Sequence, residues 1–540
     1  MIKNLLLLTA IIFCSKILHS QSRTEKIEKL ASAYYDIGRF NGSILVAEKG
    51  KVIFEKSYGV KNFQTQEKNT NQSIYRIYST TKSFTATVIL LLEKQGKLSL
   101  QDNLSKYFPD FKKGEHITIE QLLTHTSGIQ NNTDPEQTKD EKTFLNYIAA
   151  QPLDFSPGSQ WNYSNSNYYL LGYIISKTAG MPYQKAIQKY ILDPLKMTGT
   201  GFGFKALKDK NKTTGYDFLS KNNSIEALVY DYDHPHAAGA MYSTVGDLYL
   251  YEEGLKHFKI LDQETLKKAQ TSFKNYGYGY GWSVNLIQGK TVLGHDGAGP
   301  GFLSFFVGIP QDDISVIILS NILDGSASEI YKGIISLMYH LPYDIPRNIK
   351  LSSEQQHQLK GLYQSSDTNF YISVNDGLLS FFDSKDGHGT FLTAENEKKF
   401  YVVNSMGDKI YFEFEADKNG NITTLRTIKN DKLIKEAKKI SPVFLWGVTG
   451  DSTPGGWDGP DIPLTLSSKN KNILETRNVV LKKGDIKFRA NNEWAMELGI
   501  NDANQVVKHG KNIRIPESGS YDIILDMTNE IKPAYQVIKK

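Results

Sequence analysis

The sequence predicts an α+β domain built on an antiparallel sheet, followed by two all-β regions. Phe40 to Lys56 (FNGSILVAEKGKVIFEK) reads as a hairpin, two alternating β-branched runs around Glu48-Lys49-Gly50-Lys51. Gly301 to Asn321 reads as a second pair of strands, FLSFFVGI and SVIILSN, around Pro310-Gln311-Asp312-Asp313. Two hairpins so far apart, with helical patterns between them, fit one sheet assembled from both ends of the domain. From Ser352 onward short alternating strands dominate, with turns at Asn375-Asp376-Gly377, Asp386-Gly387 and Lys418-Asn419-Gly420.

At the N-terminus, Met1 to Asn4 supplies a short basic region, Leu5 to Phe13 an apolar run and Ser15 to Ser22 a more polar exit. The run is too short to span a bilayer as a stable helix and has the shape of a secretory signal peptide over residues 1–20, cut near Ser20–Gln21. A secreted, periplasmic or cell-surface protein is expected. Cys14 is the only cysteine. Lipoprotein anchoring there calls for a small preceding residue, and the bulk of Phe13 argues against it. Removal of the signal leaves a chain without disulfides or thiol chemistry. No later segment is long and apolar enough to be transmembrane.

The first domain is expected over 21–345. Within it Ser83 to Gln95 reads as a strongly apolar helix ending at Gly96, and Tyr169 to Ala179 as another ending at Gly180. Leu341 to Arg347 reads as a linker. A small β-barrel or sandwich is expected over 350–440, and a separate β-sandwich module over 441–540. The 540 residues are 40% apolar and 22% charged, which supports ordinary cores throughout. Tyrosine is abundant at 31, which suits sheet packing. The formal charge of +5 is small and unclustered, so no nucleic-acid partner is expected.

Three motifs carry chemistry. Ser79-Thr80-Thr81-Lys82 stands directly ahead of the first apolar helix. A serine at a helix N-terminus has backbone N–H groups and the positive dipole end beside it, and a lysine three residues on lies over the same face. Alone, Ser-x-x-Lys is equally a helix cap with a surface lysine. Trp161-Asn162-Tyr163-Ser164-Asn165 adds a phenol that could exchange a proton and an amide that could hold a carbonyl. His295-Asp296-Gly297-Ala298-Gly299 reads as a glycine-rich entrance to the Phe302 strand, where a substrate backbone can approach closely.

In that order these motifs resemble the signatures of class C β-lactamases and the related DD-peptidases, D-aminopeptidases and esterases, a penicillin-recognising serine hydrolase family. Flanking stretches agree: Phe40-Asn41-Gly42-Ser43, Leu122 to Ile129 (LLTHTSGI), Gly239 to Leu248 (GAMYSTVGDL) and Tyr278 to Trp282 (YGYGW). The resemblance covers roughly residues 30 to 335. It implies a β-lactamase/transpeptidase-like fold, an antiparallel sheet flanked by helices plus a helical subdomain. It also implies roles. Ser79 attacks an amide or ester carbonyl, and Lys82 and Tyr163 share the proton transfers. Asn165 orients Lys82 and the substrate, Gly297 lies along the substrate, and the backbone N–H groups of Ser79 and Ala298 form the oxyanion hole. The partner is a small-molecule or peptide acyl substrate, and neither metal nor organic cofactor is needed.

The third motif departs from the β-lactamase form. Those enzymes carry Lys-Thr-Gly there, and this chain has His295-Asp296-Gly297. A lysine is a permanent cation beside a substrate carboxylate, whereas histidine is largely neutral at pH 7. Peptidase, amidase or esterase activity is therefore favoured over β-lactam hydrolysis, the competing reading being a glycan-binding protein with a vestigial hydrolase domain.

Other residues take plainer readings. His125, in a turn, is structural. Asp231 to His236 mimics a metal site but lacks a third convincing ligand. Tyr276 to Tyr280 either borders the cleft or packs a turn. Leu359 to Tyr363 resembles the start of the lipocalin-like domains appended to this family. The last hundred residues, with Trp446, Trp457 and Trp494, resemble the β-sandwich modules of outer-membrane starch-binding proteins. The three indoles are candidates for stacking on a glycan.

Overall fold

The computed structural model describes residues 22–540 apart from 228–235, 288, 376, 384–388, 404–407, 442–443, 471 and 531. The signal segment, Cys14 and most of the Asp231–His236 stretch lie outside the described residues. One compact unit comprises the chain to Leu219 and Ile225–Ile345, the other Ser220–Ser224 and Pro346–Lys540.

In the first unit, strands β1 (Gly42–Glu48) and β2 (Lys51–Tyr58) form the expected hairpin. Its turn residues Lys49 and Gly50 have φ of 52° and 69°, the left-handed pair that a two-residue type I′ turn requires. Strands β3 (Ser283–Ile287), β4 (Lys290–Gly299), β5 (Phe302–Ile309) and β6 (Ile314–Ser320) form an antiparallel meander. β1 pairs with β6, Gly42 opposite Ser320 and Glu48 opposite Ile314, so the order is β2-β1-β6-β5-β4-β3. The sheet is assembled from both ends of the unit, as the two distant hairpins predict.

Residues 295–299 are not the entrance of the Phe302 strand. They are the second half of β4, and the turn falls at Pro300-Gly301. Gly294, Gly297 and Gly299 interrupt the alternation that would mark a strand, which is why the sequence reads as a turn there. β3 pairs only with Lys290–Gly294, so His295–Gly299 is left as an open edge.

Helices α1 (Arg23–Asp36) and α4 (Ser326–Met338) cover one face of the sheet, α2 (Thr81–Lys94) and the Val245–Lys256 helix lie against the other, and α3 (Asn165–Ala179) packs on α2. The period-2 alternation of strands divides the apolar residues between two cores. Ile44, Val46 and Ile318 pack with Ile27 and Leu30 of α1 and Ile330 and Ile334 of α4. Leu45, Ala47, Ile317 and Leu319 join the larger core around α2 and α3. Of the 14 residues of α2, 11 are buried, two residues ahead of the predicted start included. Its hydroxyls are satisfied internally: Thr85 donates to the Ala237 carbonyl at 2.7 Å, and Thr87 meets the Tyr251 hydroxyl at 2.8 Å. A helix enclosed in this way fixes whatever stands at its N-terminus.

The second unit opens on a short helix, Ser353–Leu359, capped reciprocally by Ser352 and Gln355. Strands β7 (Gly361–Gln364), β8 (Asn369–Asn375), β9 (Leu378–Asp383), β10 (Gly389–Phe391), β11 (Thr393–Ala394), β12 (Lys399–Val403), β13 (Lys409–Ala416), β14 (Ile422–Lys429) and β15 (Lys432–Ser441) form one nine-stranded sheet. Its order is β10-β9-β8-β7-β15-β14-β13-β12-β11. The two edge strands are joined through Leu392 alone, so the sheet curls until its edges nearly meet, a barrel-like form. Beyond it, a sheet containing Trp446–Thr449, Gly484–Ala490 and Glu493–Ile500 faces one containing Ile473–Leu481, Gly519–Asp526 and Ala534–Lys539. The sequence texture changes at Ser441, yet Leu362, Tyr371 and Phe382 pack in one cluster with Phe444 and Trp446 across that point.

Candidate active site

Ser79 stands in the single turn Tyr78–Thr80 that leads into α2. Tyr78 has a φ of 40°, a left-handed conformation that costs a non-glycine residue about 1–2 kcal/mol. Its ring is held by the Arg76 guanidinium, 4.9 Å from the centroid, and its hydroxyl donates to the Pro300 carbonyl at 3.0 Å. On the other side runs the open edge of β4. A Cβ at Gly297 would lie 2.1 Å from the Ile77 carbonyl oxygen and 2.9 Å from the Ser79 nitrogen, so only glycine lets the strand come this close. Ala298 follows it on the same edge and is exposed.

Lys82 is fully buried. Its Nζ lies 3.0 Å from Ser79 Oγ, 2.8 Å from Asn165 Oδ1 and 2.7 Å from the Ala238 carbonyl oxygen. It also stands 4.9 Å from the centroid of the Tyr163 ring. Burial holds the amine well below the ordinary lysine value, with the Asp296 carboxylate opposing the shift. The Ser79 hydroxyl is hydrogen-bonded to the Tyr163 phenol. Burial pushes that phenol up, the Ser79 bond opposing and Asp296 adding, so it holds its proton at neutral pH.

The loop bearing Tyr163 is laced to the Thr124–Gly128 turn. Asn162 N–H donates to the His125 carbonyl at 3.0 Å, and Ser164 N–H to His125 Nδ1 at 3.1 Å. The His125 ring lies 4.4 Å from the Tyr163 ring between centroids. Because Nδ1 accepts, the proton of the neutral imidazole is on Nε2. Burial, then Lys82 and His295, hold His125 well below the ordinary histidine value, so it stays uncharged. The plain structural reading of His125 thus acquires a purpose: it positions Tyr163. Asn131 does the same for Asn165, its Oδ1 accepting from the Asn165 backbone N–H at 2.9 Å and from Nδ2 at 3.1 Å.

His295 is buried, and both its ring nitrogens are engaged within the protein. Nδ1 donates to the Asp296 carbonyl at 2.6 Å, and Nε2 accepts from the Tyr278 hydroxyl at 2.9 Å. Burial lowers it to about 4, Asp296 opposing and Lys82 adding. The imidazole therefore braces the cleft wall as a neutral group. Tyr278 is part of that wall, which decides between the two readings of the Tyr276–Tyr280 turn for this residue.

The structure separates the three C-terminal tryptophans. Trp446 is 5% exposed and belongs to the sandwich core, because its strand is buried throughout, so it cannot meet a glycan. Trp457 and Trp494 lie together, rings 5.9 Å apart and tilted by 36°, with Trp494 43% exposed over the Arg489 guanidinium.

A serine flanked by a buried amine and a protonated phenol, beside an open strand edge, is the arrangement of a serine hydrolase working by acyl transfer. The Beta-lactamase family profile matches residues 27–335, more than half of the chain, and the chain belongs to that family. Protein flp of Staphylococcus aureus (strain N315) is 31% identical over 323 residues, covering 55% of this chain and 63% of the relative, so the chain spans less than two thirds of it. An octameric penicillin-binding protein homologue from Pyrococcus abyssi superposes with a TM-score of 0.54 at 26% identity, over 77% of this chain and 99% of that one. D-amino acid amidase from Ochrobactrum anthropi SV3 shares the fold, with a TM-score of 0.53 at 20% identity over 59% of this chain and 99% of that one.

Proposed function

We propose that the protein forms an acyl-enzyme at Ser79 and hydrolyses an amide or ester, a D-amino-acid peptide or amide or a small ester. The contact set of Lys82 carries this reading. A neutral amine has two N–H donors and one lone pair. The Asn165 and Ala238 oxygens only accept, so they take both donors and leave the lone pair aimed at the Ser79 hydroxyl. As Ser79 Oγ bonds to the carbonyl carbon, its proton passes to Lys82. The oxyanion is met by the backbone N–H groups of Ser79 and Ala298. Tyr163 gives its proton to the leaving nitrogen or oxygen as the acyl bond to it breaks, and recovers one from Lys82. Water then releases the acyl group by the reverse sequence of proton transfers.

The absence of a lysine at position 295 disfavours the β-lactamase alternative, since the neutral, fully engaged imidazole offers no charge to a β-lactam carboxylate. A panel of D-aminoacyl p-nitroanilides, p-nitrophenyl esters and penicillins tests the reading. The amide and ester substrates should show kcat/KM values at least about tenfold above those of the penicillins. Fastest turnover of penicillins would reverse the assignment.

For the C-terminal sandwich we propose a glycan contact restricted to Trp457 and Trp494, the exposed indole supplying a face for a sugar ring. Titration of the full chain with maltooligosaccharides and peptidoglycan fragments should give a Kd in the high micromolar to millimolar range, lost in Trp494→Ala. No heat or shift change at millimolar glycan would remove the proposal.

A further inference from the structure

Asp296 is exposed on the open edge of β4, between His295 and Gly297. Its partner across the β4–β5 ladder is Phe305, so the two side chains share a face of the sheet. Phe305 in turn packs on the half-buried Tyr331 of α4, rings 4.7 Å apart and tilted by 35°. The carboxylate therefore stands on the α4 side of the sheet, at the edge where Gly297 meets Ser79, next to an aromatic pair. Its field reaches Lys82 and Tyr163 on one side and Tyr331 on the other. Among the described residues no lysine or arginine pairs with it.

The surrounding charges do not cancel it. Lys82 is buried and held toward its neutral form, and His125 and His295 are uncharged. Lys332, next to Tyr331 on α4, is turned roughly 100° away around the helix. Asp324 is paired with Arg39 at 2.9 Å. A free carboxylate beside aromatic faces is a recognition device for an ammonium group and a barrier to an anion.

We propose that Asp296 is a specificity-determining residue, selecting substrates with a primary or quaternary ammonium on the arm that runs along β4 toward α4 and excluding those with a carboxylate there. This rests on the hydrolase reading of Ser79. It adds that the third motif is selective through its second residue as well as through the missing lysine.

Three fluorophosphonates of matched shape, with a trimethylammonium, a tert-butyl or a carboxylate arm, test the proposal through the rate of Ser79 labelling, followed by intact mass. The cation should label about tenfold faster than the neutral probe, and the anion about tenfold slower, with the spread narrowing in high salt. In Asp296→Asn the three rates should fall within about threefold of one another; continued labelling by the neutral probe shows that the site is folded. Equal rates in the unmodified protein, or an unchanged order in Asp296→Asn, would overturn the proposal while leaving the hydrolase reading intact. If none of the probes labels Ser79, the hydrolase reading falls and this inference falls with it.

Discussion

Lys82→Arg is expected to lower kcat/KM by about a thousandfold on every substrate the protein turns over. Arginine keeps its proton at all working pH values and has no lone pair to take one from Ser79. It would also carry a fixed charge into a site where the lysine is fully buried. A thermal melt run beside the kinetics separates loss of the base from loss of the fold. The sign of the pH dependence follows from the same residue. The active form is the neutral amine, so kcat/KM should be flat on the alkaline side and fall as pH drops through the lowered Lys82 value. Asp296 raises that value, so Asp296→Asn should carry the acid limb to lower pH. Unreduced turnover in folded Lys82→Arg would rule the amine out as base.

Tyr163→Phe should cost about a hundredfold on a D-aminoacyl anilide and much less on a p-nitrophenyl ester. An anilide nitrogen cannot leave without a proton, whereas p-nitrophenolate can. The protonated phenol hydrogen-bonded to Ser79 is the group placed to supply it. The ratio of the two substrates' kcat/KM values is the readout, because damage to the loop would lower both alike. Equal losses would mean that Tyr163 holds Ser79 in place without donating to the leaving group.

Ser79 and Lys82 are legible in the sequence because the turn that holds Ser79 runs straight into the helix that holds Lys82, and a spacing of three puts them on one face whatever surrounds them. Tyr163, Asn165 and His295 come from elsewhere in the chain, and only the resemblance joins them to Ser79. Their supports are less legible still. Asn131 reaches Asn165 across 34 residues, and the Ala238 carbonyl reaches Lys82 across 156. Such contacts have no period to read. The hairpins of β1–β2 and β5–β6 announce themselves by alternation, but β4 does not, since the glycines that let it approach Ser79 erase the apolar pattern of a strand. Trp446 fails in the opposite way. A tryptophan in an alternating strand looks the same whether it faces solvent or the core, and only the packing against Phe444 and Val448 shows that it is inside.

The central claim is that Ser79 is the nucleophile. Its most direct test is intact-protein mass spectrometry after treatment with a fluorophosphonate, followed by peptide mapping. One adduct per chain is expected, located on Ser79 and absent in Ser79→Ala. An adduct on another serine, or the same adduct in Ser79→Ala, would contradict the account.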